Sequence, residues 1–239
     1  MTVQRPAAFP IRLFQTEPHE CGYYDDRQAR SLVLDPASPW LAQIYPDAID
    51  HGFRRSGSQV YRPHCENCNA CTPTRLRVAD FRPDRSQRRC RARNADLRVR
   101  MVPARCTEES FALYSRYVNA RHADGPMARS SIEEFERFLI CSWCPTLFLE
   151  LRLDEELVGI AVTDVLPQGL SAVYTFFDPD LAQRGLGTFA ILSQIEAAAE
   201  RELPFVYLGY WIDGHPKMDY KRRFAGLEIL REGCWQALA

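Results

Sequence analysis

The stretch TLFLELRLDEELVGIAVTDVLPQGLSAVYTFFDPDLAQRGLGTFAILSQIEAAAERELPFVYLGY, residues 146–210, carries the plan of the fold. Its first half holds three apolar runs, 146–153, 157–166 and 170–177, separated by turns at Asp154 and Glu155 and at Pro167, Gln168 and Gly169. Runs of this length, rich in branched and aromatic residues and bounded by turn-formers, predict an antiparallel meander. After Asp178 and Pro179 the pattern changes: Gly185 and Gly187 mark a loop, 188–201 predicts a helix and 205–210 a further strand. Working backward, 97–102 alternates like a strand, and Thr107 opens a helix with Glu108 and Glu109 in its first turn and Phe111, Tyr114 and Val118 at helical spacing. A second helix begins behind Ser130 and Glu133, read as a capping box, with Ile132, Phe135, Phe138 and Leu139 as its buried stripe.

The order strand, two helices, three antiparallel strands, glycine loop, helix, strand is the plan of the acyl-CoA N-acyltransferases. We therefore expect an α+β, GNAT-like mixed sheet flanked by helices over 97–239. Residues 1–96 are rich in proline, glycine and cysteine, with a short apolar piece at 31–34 and brief helical candidates near 39–51. They predict a small, loop-rich N-terminal module. In the fold so named, a glycine loop at a helix N-terminus offers backbone N–H groups to the pyrophosphate of coenzyme A. Here the usual glutamine or arginine anchor is replaced by Ala182, with Gln183 and Arg184 displaced, and the glycines alternatively serve close packing of helix on sheet.

At 239 residues with 46% apolar content, the chain can bury a substantial core. It contains no run of about 18 apolar residues and no charged-then-apolar export pattern, so the expected location is the cytoplasm with no membrane partner. Nine cysteines in clustered spacing suit a reducing compartment better than a disulfide framework. A net charge of −1 conceals an asymmetry: eleven arginines but only Asp80, Asp84 and Asp96 lie between Arg75 and Arg105. The natural partner of such a surface is nucleic acid or an acidic ligand.

Two chemical clusters stand out. Lys217 and Lys221 are the only two lysines among thirty basic residues, and they sit within 207–222 beside Tyr207, Tyr210, Trp211, Asp213 and Tyr220. An ammonium is a compact, mobile charge where a guanidinium is a rigid fork, so this placement points to a need for ammonium groups. Cys65, Cys68 and Cys71 have the C-x2-C-x2-C spacing that lets thiolates converge on zinc or an iron–sulfur cluster, with Cys21 or His64 as a fourth ligand and Cys21 preferred. Buried structural thiols are the alternative. Cys141 and Cys144, before Pro145, are read as core.

Cys21-Gly-Tyr-Tyr with Asp26-Arg27, then Tyr61-Arg62-Pro63-His64-Cys65 through Cys68 and Cys71 to Arg75, then Tyr174 and Phe177-Asp178-Pro179, and finally 208–212 with Pro216-Lys217-Met218 and Tyr220-Lys221 form an ordered set of motifs. Over about 12–233 the chain resembles the aminoacyl-tRNA–protein transferases, most closely the bacterial aspartate/glutamate leucyltransferases, relatives of the eukaryotic arginyltransferases. The resemblance implies leucine transfer from leucyl-tRNA to proteins with N-terminal Asp or Glu, marking them for degradation by the N-degron route, with no cofactor required for the chemistry.

The residues suit that reaction. A free α-amine attacks an ester carbonyl, a tetrahedral oxyanion forms and the ribose hydroxyl leaves, so the protein must orient, accept a proton and stabilise an oxyanion. Asp178 or Asp213 is the candidate proton acceptor, Tyr174, Tyr207 or Tyr210 the candidate donor, and Lys217 and Lys221 suit phosphates or developing charge; Trp211 joins the substrate-binding set. Arg75 and Arg77 are the candidate forks for the acceptor's carboxylate, and arginines 82–93 for the tRNA acceptor stem. Arginyl-tRNA as donor, a coenzyme A-dependent N-acetyltransferase and a non-catalytic RNA-binding or cluster-sensing protein remain the alternatives.

Overall fold

The computed structural model describes residues 11–121 and 131–238. In chain order its elements are β1 (Leu13–Gln15), β2 (His19–Glu20), β3 (Gln28–Ala29), β4 (Ser31–Leu34), α1 (Leu41–Asp50), β5 (Arg54–Ser56), β6 (Gln59–Pro63), β7 (Thr72–Arg77), α2 (Arg85–Arg93), β8 (Leu97–Pro103), α3 (Glu108–Arg121), α4 (Ile132–Leu139), β9 (Thr146–Leu153), β10 (Glu156–Leu166), β11 (Gly169–Phe177), α5 (Leu186–Glu200), β12 (Phe205–Trp211), β13 (Leu227–Arg231) and β14 (Cys234–Ala237). The meander, the helix after the glycines and the strand beyond it thus form within a residue or two of their expected limits. The cap of α4 differs. Ser130 lies outside the described residues, and the capping box is closed by Ser131 and Glu134. Ile132, placed in the buried stripe by periodicity, is 49% exposed because it opens the helix's first turn at the margin of the core.

Eight strands make one mixed sheet in the order β14-β13-β7-β12-β11-β10-β9-β8. Alternate residues of β10 face two separate cores. Ala161 joins Leu186, Ala190 and Ile195 of α5, a helix apolar on nearly every side and sunk accordingly, while Ile160 and Val162 join Leu113 and Tyr114 of α3 and Phe135 of α4. Strand β7, from well before residue 97, is inserted between β13 and β12, so the large sheet draws on both halves of the chain. The N-terminal part adds a four-stranded sheet, β1-β4-β6-β5, and α1, packed through Tyr45, Phe53 and Val60 against Leu166 and Tyr207.

A fully buried ion pair joins the two sheets. Arg55 of β5 grips Asp164 of β10 with both branches of its fork, Nε and Nη2 each at 2.7 Å, and its Nη1 donates to the Gly57 carbonyl at 2.7 Å. Asp164 also accepts from the Tyr45 hydroxyl at 3.2 Å and from Thr146 at 2.8 Å. Every strong valence of both groups is met, which is the condition for burying charge.

One local feature of the sheet makes a site. The parallel neighbours β11 and β12 pair only over Gly169–Ser171 against Phe205–Tyr207, then separate. A bulge between Tyr207 and Gly209 in β12 accompanies the parting.

Removing one partner of the buried pair strands the other. Arg55→Met is expected to lower the unfolding free energy by about 3–5 kcal/mol, read from the urea midpoint, with Asp164→Leu on top restoring part of it. A loss under about 1 kcal/mol would mean that the pair does not fasten the sheets.

Candidate active site

The gap between the parted strands is an open cleft of about 420 Å³. Ala172, Val173, Tyr174, Thr175 and Phe177 of β11 line one side, Leu208 of β12 and Gly187, Thr188 and Ile191 of α5 meet them, and Tyr117 and Arg121 of α3 close over the rim. Lys217, Tyr220 and Lys221 enter from the segment after β12, and Arg54 from β5. Among the described residues the lining therefore carries Arg54, Arg121, Lys217 and Lys221 and no carboxylate.

Arg54 reaches the cleft because side chains alternate along a strand: Arg55 turns to Asp164, so its neighbour turns to the opposite face. Arg54 donates through Nη2 to the carbonyls of Ala172 at 3.3 Å and Val173 at 3.0 Å, beyond the last residues of β11 that pair with β12. Its guanidinium lies against Gly209, whose φ of +74° and lack of a side chain are both required: a Cβ there would overlap the fork.

The segment that carries the lysines is pinned to the N-terminal module. His215 contacts the Tyr23 carbonyl through Nε2 at 3.1 Å and packs edge-on against the rings of Tyr23 and Tyr24, and the Lys217 amide donates to its Nδ1 at 3.2 Å. Asp219 accepts from Trp211 Nε1 and from the Gly214 amide, each at 3.3 Å. Lys217 itself is exposed at the rim. Lys221 is only 4% exposed, and its ammonium donates to the Tyr210 carbonyl and to Met218 Sδ. Burial, and then the positive charge of Arg54, bring its pKa down from 10.5 to about 7.

Of the residues expected from sequence, Tyr174, Lys217 and Lys221 are brought together in this cleft. Burial pushes the Tyr174 hydroxyl far up, so it stays protonated and able to donate. The others lie elsewhere. Tyr210 is buried with its hydroxyl donating to the Gly52 carbonyl at 3.0 Å, and Tyr207 donates to Asp50 at 2.6 Å. Asp178 caps the turn after β11, accepting from the Asp180 amide, and is paired with Arg116 at 2.9 Å. Asp213 is exposed beside Arg222, and Trp211 lines the same separate groove at the far side of β12. Arg75 and Arg77 share Glu228, and Arg75 is also bound to Asp50 and lies over the rings of Phe205, at 3.7 Å, and Trp235, at 4.4 Å. Two of the three nitrogens of the Arg75 fork, Nε and Nη1, are thus committed to carboxylates.

Cys21, Cys65, Cys68 and Cys71 do line one small pocket of about 140 Å³, beneath Tyr23 and Tyr61. The expected zinc or cluster ligand set is nevertheless not assembled: among the described residues, no three His, Cys, Asp or Glu side chains are grouped to hold an ion. The thiols are turned to other partners, Cys65 to the Arg30 carbonyl at 3.7 Å and Cys68 to Arg27 at 3.3 Å, and burial raises the Cys71 thiol to about 11. Cys141 and Cys144 are core residues, as expected. Among the described residues no helix is long and apolar enough to cross a membrane.

Sequence reasoning missed Arg54, Tyr117 and Arg121. Two adjacent arginines in Gly52–Gly57 on a strand must face opposite ways, which was the available signal; nothing local said that one faced a cleft.

The chain matches two family descriptions, "Arginine-tRNA-protein transferase, N terminus" over 19–89 and "Arginine-tRNA-protein transferase, C terminus" over 109–231. The aspartate/glutamate leucyltransferase of Stenotrophomonas maltophilia strain K279a is 61% identical over 231 residues, covering 94% of this chain and 92% of that one. Its counterpart in Xylella fastidiosa strain M12 is 52% identical over 232 residues, with 95% and 91% covered, and that of Marinobacter nauticus is 50% identical over 226 residues, with 95% of each covered. Among solved structures, the C-terminal domain of a lysylphosphatidylglycerol synthetase from Agrobacterium fabrum is similar at 16% identity and a TM-score of 0.47, over 77% of this chain and 54% of that chain, a likeness too slight to build on.

The buried ammonium makes stability depend on pH. With a folded-state pKa near 7 against 10.5, the unfolded chain holds one more proton across that window, so stability rises as pH climbs from 7 toward 10.5 and the burial penalty is complete below 7. Lys221→Met is expected to exceed the wild type in Tm by several degrees at pH 6, with the gap closing by pH 10. A gap independent of pH would contradict a depressed Lys221 pKa.

Proposed function

The chain belongs to the arginine-tRNA-protein transferase family, and from its likeness to the aspartate/glutamate leucyltransferases we propose that it transfers leucine from leucyl-tRNA to proteins beginning with Asp or Glu, which marks them for N-degron degradation in the cytoplasm. The observation that carries this to a place in the molecule is the cleft between β11 and β12: cationic, without a carboxylate among its described lining residues, and rimmed by aromatic rings. An aminoacylated tRNA end is an anion with a stacking base, and such a lining suits it.

The parted parallel strands with a helix N-terminus at their mouth support the finer, acyltransferase-like description of the sheet. Coenzyme A is the less suited donor, because the usual anchor position is Ala182 and the displaced Arg184 is held by Asn94 Oδ1, at 3.0 Å, and by Asp96. The arginine-rich outer face of α2, with Arg85, Arg88 and Arg89 exposed, is placed to meet acceptor-stem phosphates.

In the reaction, the neutral α-amine of the acceptor attacks the leucyl ester carbonyl, a C–N bond forms, the ester C–O bond breaks and the ribose hydroxyl departs with a proton. Tyr174, held protonated, donates to the developing oxyanion or to the leaving oxygen. Lys217, exposed and mobile at the rim, meets the phosphates of the tRNA end. The chemistry needs orientation more than energy, since exchange of an ester for an amide is downhill.

Incorporation of labelled leucine from leucyl-tRNA into peptides beginning with Asp or Glu, and not with Lys or Ala, is the expected result. Lys217→Met should raise the KM for leucyl-tRNA on the order of tenfold at unchanged Tm. Arginine in place of leucine would correct the donor, and no incorporation would overturn the proposal.

A further inference from the structure

A transferase acting on acidic N-termini must recognise a carboxylate as well as a tRNA end. The arginines nearest the cysteine motif already have counter-ions, Arg75 in Glu228 and Asp50 and Arg77 in Glu228. Two other cations have the opposite condition. Arg54 spends only Nη2 on the carbonyls of Ala172 and Val173, and its Nε and Nη1 have no acceptor among the described residues. Lys221 has a carbonyl and a thioether for partners and no ion pair among the described residues, at 4% exposure. Both line the cleft, near enough for Arg54 to depress Lys221, with no carboxylate among the described lining residues to offset them.

A buried ammonium and a half-buried guanidinium on one cleft wall, without a counter-ion among the described residues, are costly, and a fold retains such a pair where a ligand supplies the missing charge. We propose that Arg54 and Lys221 form the subsite for the acceptor's first side chain, its carboxylate seated between the guanidinium and the ammonium. This assignment rests on the transferase function proposed above and adds to it the residues that set acceptor specificity. An acceptor beginning with Asn or Gln has the same shape and leaves both cations unpaired, so the site rejects it by the desolvation of unmet charge rather than by fit. The same two charges act on the nucleophile: a cationic floor disfavours the ammonium form of the incoming α-amine and so favours the neutral amine that the attack requires. Lys217 and Arg121, exposed at the rim, are left for the tRNA phosphates.

The test compares two peptides identical apart from a first residue of Asp or Asn, as acceptors of leucine from leucyl-tRNA and as ligands in calorimetry without tRNA. For Lys221→Met the ratio of kcat/KM for the Asp peptide to that for the Asn peptide is expected to fall on the order of 100-fold, chiefly through KM. Lys221→Arg, which keeps the charge, should recover most of the ratio, and calorimetry should show the Asp peptide losing affinity while the Asn peptide does not. Arg54→Gln, which removes the other charge, gives a second route to the same loss of ratio should Lys221→Met fail to fold. Equal losses for both peptides, with the preference intact, would overturn the subsite and leave the transferase function standing. Absence of transfer by the wild type to any peptide would instead strike the transferase function, and the calorimetric preference for Asp over Asn would still decide the subsite, its absence overturning it.

Discussion

The bidentate pair between Arg55 and Asp164, at 0% exposure on both sides, is the contact on which the rest of the architecture depends. It fastens a short strand of the N-terminal sheet to the middle of the large one, and Tyr45, Thr146 and the carbonyls of Gly57 and Leu139 are drawn into the same network. A buried pair is a poor source of net stability compared with apolar packing. Its value here is positional. With Arg55 fixed, strand alternation leaves Arg54 one direction to point, into the gap where β11 and β12 part. The glycine at 209 then follows, because the guanidinium occupies the space that any side chain there would fill.

Much of the fold was legible from sequence because its elements are long and strongly patterned. The meander of β9, β10 and β11, the helix after Gly185 and the strand after Pro204 announce themselves by period and punctuation, and tertiary packing moved their ends by no more than a few residues. What was not legible depends on pairing at a distance. No local signal says that β7, lying next to a cysteine cluster, is inserted between β12 and β13. That insertion decides the fate of Arg75, because it sets Glu228 of β13 directly opposite Arg75 in register. Lys217, Lys221 and Tyr174, which meet in the cleft, carry an unusual residue type or motif that marks them in the sequence. Arg54 was missed because an arginine on a short strand looks the same whether it faces solvent or a cleft.

The thirty basic residues fall into two populations. Most of the arginines near the sheets are spent on structure: Arg55 on Asp164, Arg75 and Arg77 on Glu228, Arg152 on Glu109 and Glu150, Arg184 on Asp96. The cations of the cleft are not. That division, rather than the density of positive charge, separates scaffold from site, and it explains why the arginine-rich span from 75 to 105 is a weaker guide to the chemistry than two lysines and two arginines drawn from distant parts of the chain.

The central claim is that both substrates meet in the gap between β11 and β12. A structure of the protein with an unreactive amide analogue of 3′-leucyl-adenosine and a short peptide beginning with Asp tests it directly. The account predicts the leucyl group between Tyr174 and Leu208 and the aspartate carboxylate within hydrogen-bond distance of Arg54 and Lys221. Density for either ligand in the cysteine-lined pocket, or in the groove beside Asp213 and Trp211, would contradict it.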